Sequence, residues 1–326
     1  MPKLISGWDS EGYLSTQKDL LDFHIPTDGK SRGCVVTSCE PTIVGFKETM
    51  AAHTKFVDEL TKNSRVKIVR SQSDLIDDGR IAVIPRWQHF PAGMTRENVR
   101  TMKEAGILFA TLSYGGPTPY GGGCYADASL TVEGKRRLVW MAEAGIQPDL
   151  SHLGHEMSRS MLRFIEAEHL PLVPVVTHSG CSAVYDHPRN LPDDILWKVS
   201  VLGGYVGIPL MSFMLAKPDT DEKGLFVAWN KHVGHAMQMC GGNNVGIGSD
   251  SWHFDMTLSE AKEVYDYLMG LLPPGKRPPD VQFPDRPESI ILKGGKMFDV
   301  IKERSYFDGG LFGGNCLSYL LRSLPA

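Results

Sequence analysis

The chain has 326 residues, of which 42% are hydrophobic, 22% charged and 9% aromatic, a composition that supports a sizeable buried core and excludes an intrinsically disordered polypeptide. Its 34 lysines and arginines against 38 acids leave a formal net charge of -4, so no positive field favours nucleic acid or anionic lipid, and neither is expected as a partner. No apolar run is long enough for a signal peptide or a membrane span. Six scattered cysteines without a C-x-x-C pair read as free thiols of a reducing compartment, which makes a cytoplasmic location the expectation.

Short apolar runs rich in β-branched residues predict eight strands, over residues 4–9, 34–40, 81–88, 107–114, 146–152, 172–178, 205–211 and 244–250. Helices are predicted between them over residues 48–61, 96–105, 133–144, 156–169, 192–202 and 225–240, with Gly106, Gly145 and Gly203 as C-cap positions. Residues 114–127 carry five glycines and two prolines and are expected to form a long mobile loop after the fourth strand. The Pro-rich stretch 273–287 reads as a connector to a C-terminal helical extension at about 288–326. This alternation predicts the α/β class and a closed (β/α)8 TIM barrel in one domain over residues 1–326. The alternative is an open doubly wound sheet, but no G-x-G-x-x-G follows the first strand.

Active sites of such barrels lie at the C-terminal ends of the strands. The predicted strand ends are Asp9, Glu40, Gln88, Tyr114, His152, His178 and Asp250, with Met211 the apolar exception. A buried polar atom without a partner costs about 1 to 3 kcal/mol, and convergence on one mouth supplies partners. His152 and His178 end neighbouring strands and Asp250 ends the last. Two imidazoles and a carboxylate suit zinc or a similar divalent ion with a position left open for water. Taken singly, each histidine is as well explained as a core ring bonded to backbone.

Other candidates weigh less. His232 and His235, three apart on a predicted helix, read as a solvated face rather than a ligand pair. His89, His253, Asp255 and Cys124 fall just beyond strand ends and are candidates for lining the mouth, with Trp252 and Tyr120 as an aromatic wall. A cysteine nucleophile at Cys124, Cys39 or Cys181 is a weaker reading than structural thiols.

The runs Asp149-Leu150-Ser151-His152, Thr177-His178-Ser179, Pro188-Arg189-Asn190 with Asp193-Asp194, and Gly246-Ile247-Gly248-Ser249-Asp250 resemble, in order and spacing, the membrane (renal) dipeptidase family. This is peptidase family M19 of the amidohydrolase superfamily. The likeness covers roughly residues 79–302 and includes Gly294-Gly295-Lys296-Met297-Phe298-Asp299-Val300-Ile301. It implies a (β/α)8 barrel of the metal-dependent hydrolase type and, in the family's full form, two bridged zinc ions that serve dipeptide hydrolysis. It further implies that His152 and His178 bind one metal, that Asp250 binds the other and handles protons, and that Arg189 holds the substrate's α-carboxylate. A guanidinium fork suits that task. A homodimer is also implied.

The departures are specific. The family's H-x-D falls on Trp8 and Ser10, its bridging glutamate on Trp87 or Gln88, and its fourth-strand histidine on Tyr114. A neutral amide replaces a bridging carboxylate poorly. The expectation is therefore one zinc or similar ion rather than two, held by His152, His178 and Asp250. Asp250 is the expected general base, and Arg189, Tyr114, Gln88 and Asn190 are the expected substrate-facing residues. The activity implied is dipeptidase-like hydrolysis of a small carboxylated amide through an activated water. The alternative is a divergent member without it, either a lyase, decarboxylase or tautomerase, or a binding or maturation protein.

Overall fold

The computed structural model describes residues 3–5, 7–13, 32–39, 45–217, 220–252 and 314–325. Glu40, His253, Asp255, the expected connector at 273–287 and the run 294–301 lie outside the described residues, as does the side chain of Trp252. In chain order the strands are β1 (Gly7–Tyr13), β2 (Arg32–Thr37), β3 (Val66–Ile68), β4 (Ile81–Trp87), β5 (Phe109–Ala110), β6 (Pro117–Thr118), β7 (Gly121–Gly122), β8 (Gln147–Pro148), β9 (Val175–Val176), β10 (Tyr205–Ile208), β11 (Val245–Ile247) and β12 (Ser251–Trp252). The helices are α1 (Phe46–Thr61), α2 (Arg96–Glu104), α3 (Val132–Ala144), α4 (His155–Ala167), α5 (Asp193–Val201), α6 (Ser212–Leu215), α7 (Glu222–Cys240) and α8 (Asn315–Ser323).

Parallel pairing runs β12-β1-β2-β4-β5-β8 and separately β9-β10-β11. A parallel bridge between Asp149 and Val175 joins β8 to β9, and β11 and β12 are the two ends of one short stretch. The pairing therefore returns to β1, as a (β/α)8 barrel requires. Helix starts are set locally. The Thr95 hydroxyl accepts from the Asn98 N–H, and Thr131 and Asp221 accept from the N–H groups of Gly134 and Gly224. Gly145 ends α3 in the left-handed region at φ 68°.

Three expectations are corrected. β1 begins at Gly7 and runs to Tyr13, so Asp9 is near its start rather than its end. Trp8 then belongs to the core at the barrel's N-terminal end. It is fully buried, its indole N–H donates to the Ile5 carbonyl at 3.2 Å, and it lies so close on Gly33 that a Cβ there would meet the ring at 2.3 Å. The strands at 107–114, 146–152 and 172–178 shrink to two regular residues each, and in the last two the N–H groups of Ser151, Val173, Thr177 and His178 go to side-chain oxygens. Residues 114–127 form an antiparallel hairpin, β6 with β7. Within it Tyr120 is buried and donates to the Pro91 carbonyl at 2.6 Å, and a Cβ on Gly123 would meet the Gly115 backbone at 2.3 Å. The glycines there serve close packing.

Helix α8 closes the N-terminal end. Tyr319 packs on Phe109 and Tyr205, with ring centroids 6.1 and 5.8 Å away, and its hydroxyl donates to the Val173 carbonyl at 2.9 Å. No helix among the described residues is long and apolar enough to cross a membrane, and the six cysteines are free thiols.

Candidate functional site

His152 and His178 converge as the sequence suggests. Their Nε2 atoms stand 3.0 Å apart, with ring centroids at 5.0 Å and planes inclined by 68°. Asp250 approaches them, its Oδ2 3.9 Å from His178 Nε2. His152 and Asp250 have φ of 72° and 50°, and with His169 they are the non-glycine residues of positive φ among the described residues. That conformation is unfavourable for an L-residue with a side chain, and it concentrates at functional sites. Here it turns both side chains off their strands at the same mouth. The Tyr114 ring stacks on His152 at 4.1 Å and so covers one side of that imidazole.

Beneath the histidines the barrel is filled by a polar layer that sequence reading missed. Arg86 and Asp149, both fully buried, pair at 2.7 Å. Asp149 also accepts from the Thr177 hydroxyl at 2.7 Å and from the N–H groups of Thr177 and Ser151 at 3.1 and 3.0 Å. The Thr177 Oγ1 lies 2.9 Å from His178 Nδ1. Side chains alternate along a strand, so with Arg86 turned inward, Trp87 faces the helices. Its ring there meets Phe46, at a centroid distance of 6.2 Å. Gln88, just past the end of the strand, is buried.

Both histidines are held well below the ordinary imidazole value, first by burial and then by the positive charge of Arg189. Both are therefore neutral, as ligands must be. Burial pushes the Cys124 thiol up to about 11 against the opposing pull of Arg189, and pushes Cys181 up as well. Neither is an activated nucleophile.

Arg189 is 4% exposed, and its two terminal nitrogens have no hydrogen-bond partner among the described residues. Its loop is tied down on several sides. The Asn190 amide accepts from the Gly180 N–H at 3.0 Å and donates to the Tyr185 and Met214 carbonyls, each at 2.8 Å. His155 meets the Asn190 carbonyl at 2.8 Å, and His232 Nδ1 accepts from the Cys181 N–H at 2.9 Å. Asn190, expected to face substrate, thus spends its amide on holding the loop that carries Arg189.

Other expectations change likewise. His232 is fully buried rather than solvated, and His235 pairs with Asp193 at 2.7 Å. Tyr120 is a core residue packed on Phe90 at 5.7 Å rather than a mouth wall. His89 is buried and stacks on Trp87 at 6.4 Å.

The donor chemistry fits one divalent ion through the two imidazoles. Zinc–nitrogen bonds of about 2.0 to 2.1 Å at a tetrahedral angle place two nitrogens about 3.4 Å apart, a few tenths of an ångström more than the 3.0 Å between the facing Nε2 atoms. Among the described residues no third His, Cys, Asp or Glu completes a group that could hold a metal. Asp250, at 3.9 Å from His178, is the carboxylate within reach of a small adjustment.

The dipeptidase verJ of Clonostachys rogersoniana is 30% identical over 179 residues, covering 52% of this chain and 41% of that protein. The matched stretch spans about two fifths of the length of the curated relatives. In fold the chain is similar to an amidohydrolase from Pseudomonas aeruginosa, with a TM-score of 0.72 at 19% identity over 98% of this chain and 95% of that one. It is similar also to a Rhodobacter sphaeroides metallopeptidase liganded with a phosphinate mimic of L-Ala-D-Ala, with a TM-score of 0.69 at 16% identity over 98% and 100% of the two chains. The model of the membrane dipeptidase family (peptidase family M19) matches residues 42–272, well over half of the sequence, and the chain belongs to that family.

Proposed function

We propose that the protein is a metal-dependent hydrolase of small carboxylated amides, dipeptides among them. The observation that carries the reading is Arg189, buried with both terminal guanidinium nitrogens unbonded among the described residues and close enough to the two facing imidazoles for its charge to act on them. A buried, unpaired cation is unfavourable unless a ligand completes it. A carboxylate does so through two parallel charge-assisted hydrogen bonds. Fixing that end of the substrate holds its amide against His152 and His178, which removes much of the entropic part of the barrier. A divalent ion, zinc by its affinity for imidazole, supplies when bound the polarisation of the carbonyl and of the attacking water. Asp250 takes the proton from the water and returns it to the leaving amine. Tyr114 covers His152 and shapes the pocket wall, and Gln88 offers an amide to the substrate. The free thiols agree with a reducing compartment. The verJ relative is named a dipeptidase, and a structural relative binds a dipeptide mimic; both support the substrate class.

A second reading is a non-hydrolytic reaction on a similar carboxylated compound. It is favoured by the want of a third metal ligand among the described residues. The zinc-supplemented protein, assayed on dipeptides and on their C-terminal amides, separates the two. Hydrolysis is expected for the dipeptides, with kcat/KM lower by on the order of 10² to 10³ for the amides, and Arg189→Met should bring the dipeptides down to the amides' level. Removing the uncompensated charge should also leave the variant at least as stable as the parent, by on the order of 1 kcal/mol. Equal rates on both substrates would end the role of Arg189. Dipeptide binding that depends on Arg189, without cleavage, would favour the second reading.

A further inference from the structure

The Arg86–Asp149 pair fills the barrel interior one layer below the histidines, with both side chains fully buried. An ion pair so placed adds little net stability over apolar packing of the same volume. Its bonding pattern points to another use. The Asp149 carboxylate, paired with Arg86, accepts hydrogen bonds, so the Thr177 hydroxyl, 2.7 Å from Asp149 Oδ2 and 3.1 Å from Ser151 Oγ, gives its single proton to Asp149 and takes the Ser151 hydroxyl as a donor. Thr177 Oγ1 is then an acceptor toward His178 Nδ1 at 2.9 Å, which requires a proton on Nδ1. A neutral ring with hydrogen on Nδ1 has its lone pair on Nε2, the atom that faces His152 at 3.0 Å. The backbone makes the same connection. Asp149 Oδ1 accepts from the Thr177 N–H, and Ser151 Oγ accepts from the His178 N–H at 3.0 Å, so the ends of two strands are held to one carboxylate and one hydroxyl.

We infer that Asp149, braced by Arg86 and acting through Thr177, is a positioning residue that sets His178 in its Nδ1–H form and aims the Nε2 lone pair into the pocket. The inference rests on the proposed function only in taking Nε2 of His178 as a working atom.

Ring ¹⁵N shifts of His178, read by long-range ¹H–¹⁵N spectroscopy on chelator-treated protein, test this directly. The unaltered protein should show a protonated Nδ1 and a bare Nε2 for His178. Thr177→Val keeps the shape and the ion pair but removes the hydroxyl. It should shift His178 toward the Nε2–H form and weaken zinc binding, measured by chelator competition, about ten- to a hundredfold. Thr177→Ser should restore both. A mainly Nε2–H His178 in the unaltered protein overturns the inference whether or not any variant folds, and so does a Thr177→Val protein that keeps the parental ring signature. The ring signature does not depend on turnover. Its presence in a protein that cleaves nothing would sink the hydrolase reading and leave the positioning role standing.

Discussion

The two ends of the barrel are built on opposite rules. At the N-terminal end Trp8, Phe109 and Tyr205 are buried in one cluster with Tyr319 of α8, and the polar tips of Trp8 and Tyr319 have backbone acceptors. At the C-terminal end His152 and Asp250 sit at positive φ, two imidazole nitrogens face each other, and the two terminal nitrogens of Arg189 have no hydrogen-bond partner among the described residues. Satisfied groups and apolar contact make the first end a source of stability. Strain and an uncompensated charge make the second end costly without a ligand, and the surplus at the first end is what permits it.

That contrast can be broken from either side. The largest effect on folding is expected at the closed end. Trp8→Ala removes a fully buried indole from the face of Gly33 and should cost about 3 to 5 kcal/mol in denaturant unfolding, with metal content per folded chain unchanged. Loss of metal at parental stability would instead assign Trp8 to the functional end. A smaller effect is expected at the brace under the open end. Burial holds the His232 ring down to about 4, below its ordinary value near 6.5, and its Nδ1 must stay bare to accept from Cys181. The unfolded chain therefore takes up the proton first. This contribution is fully present above about pH 6.5, falls as the pH drops toward 4, and is constant below that. His232→Gln should flatten the stability profile over that window by roughly 3 kcal/mol. An unchanged slope would mean that His232 is not the titrating group.

Legibility in the sequence followed the reach of the relevant interactions. The eight-strand alternation and the convergence of His152, His178 and Asp250 were readable because apolar runs have a period and strand ends have a known place in a barrel. The Arg86–Asp149 pair was not, since its partners lie 63 residues apart and nothing local in either run marks an inward charge. His232 was misread because a three-residue spacing says that two residues share a face, not which face. The buried series Trp229, His232, Val233, Ala236 and Cys240 carried that signal. The hairpin at 114–127 was misread because glycine marks close backbone approach as readily as freedom. β3 was missed because three residues carry too little periodicity to register.

The metal content of the purified protein tests the central claim most directly. Equilibrated with zinc and freed of unbound ion, the parent chain should retain one ion, and His152→Ala and His178→Ala should each retain essentially none while remaining folded. Two ions per chain, or one ion that survives both substitutions, would contradict a site built on the two facing imidazoles.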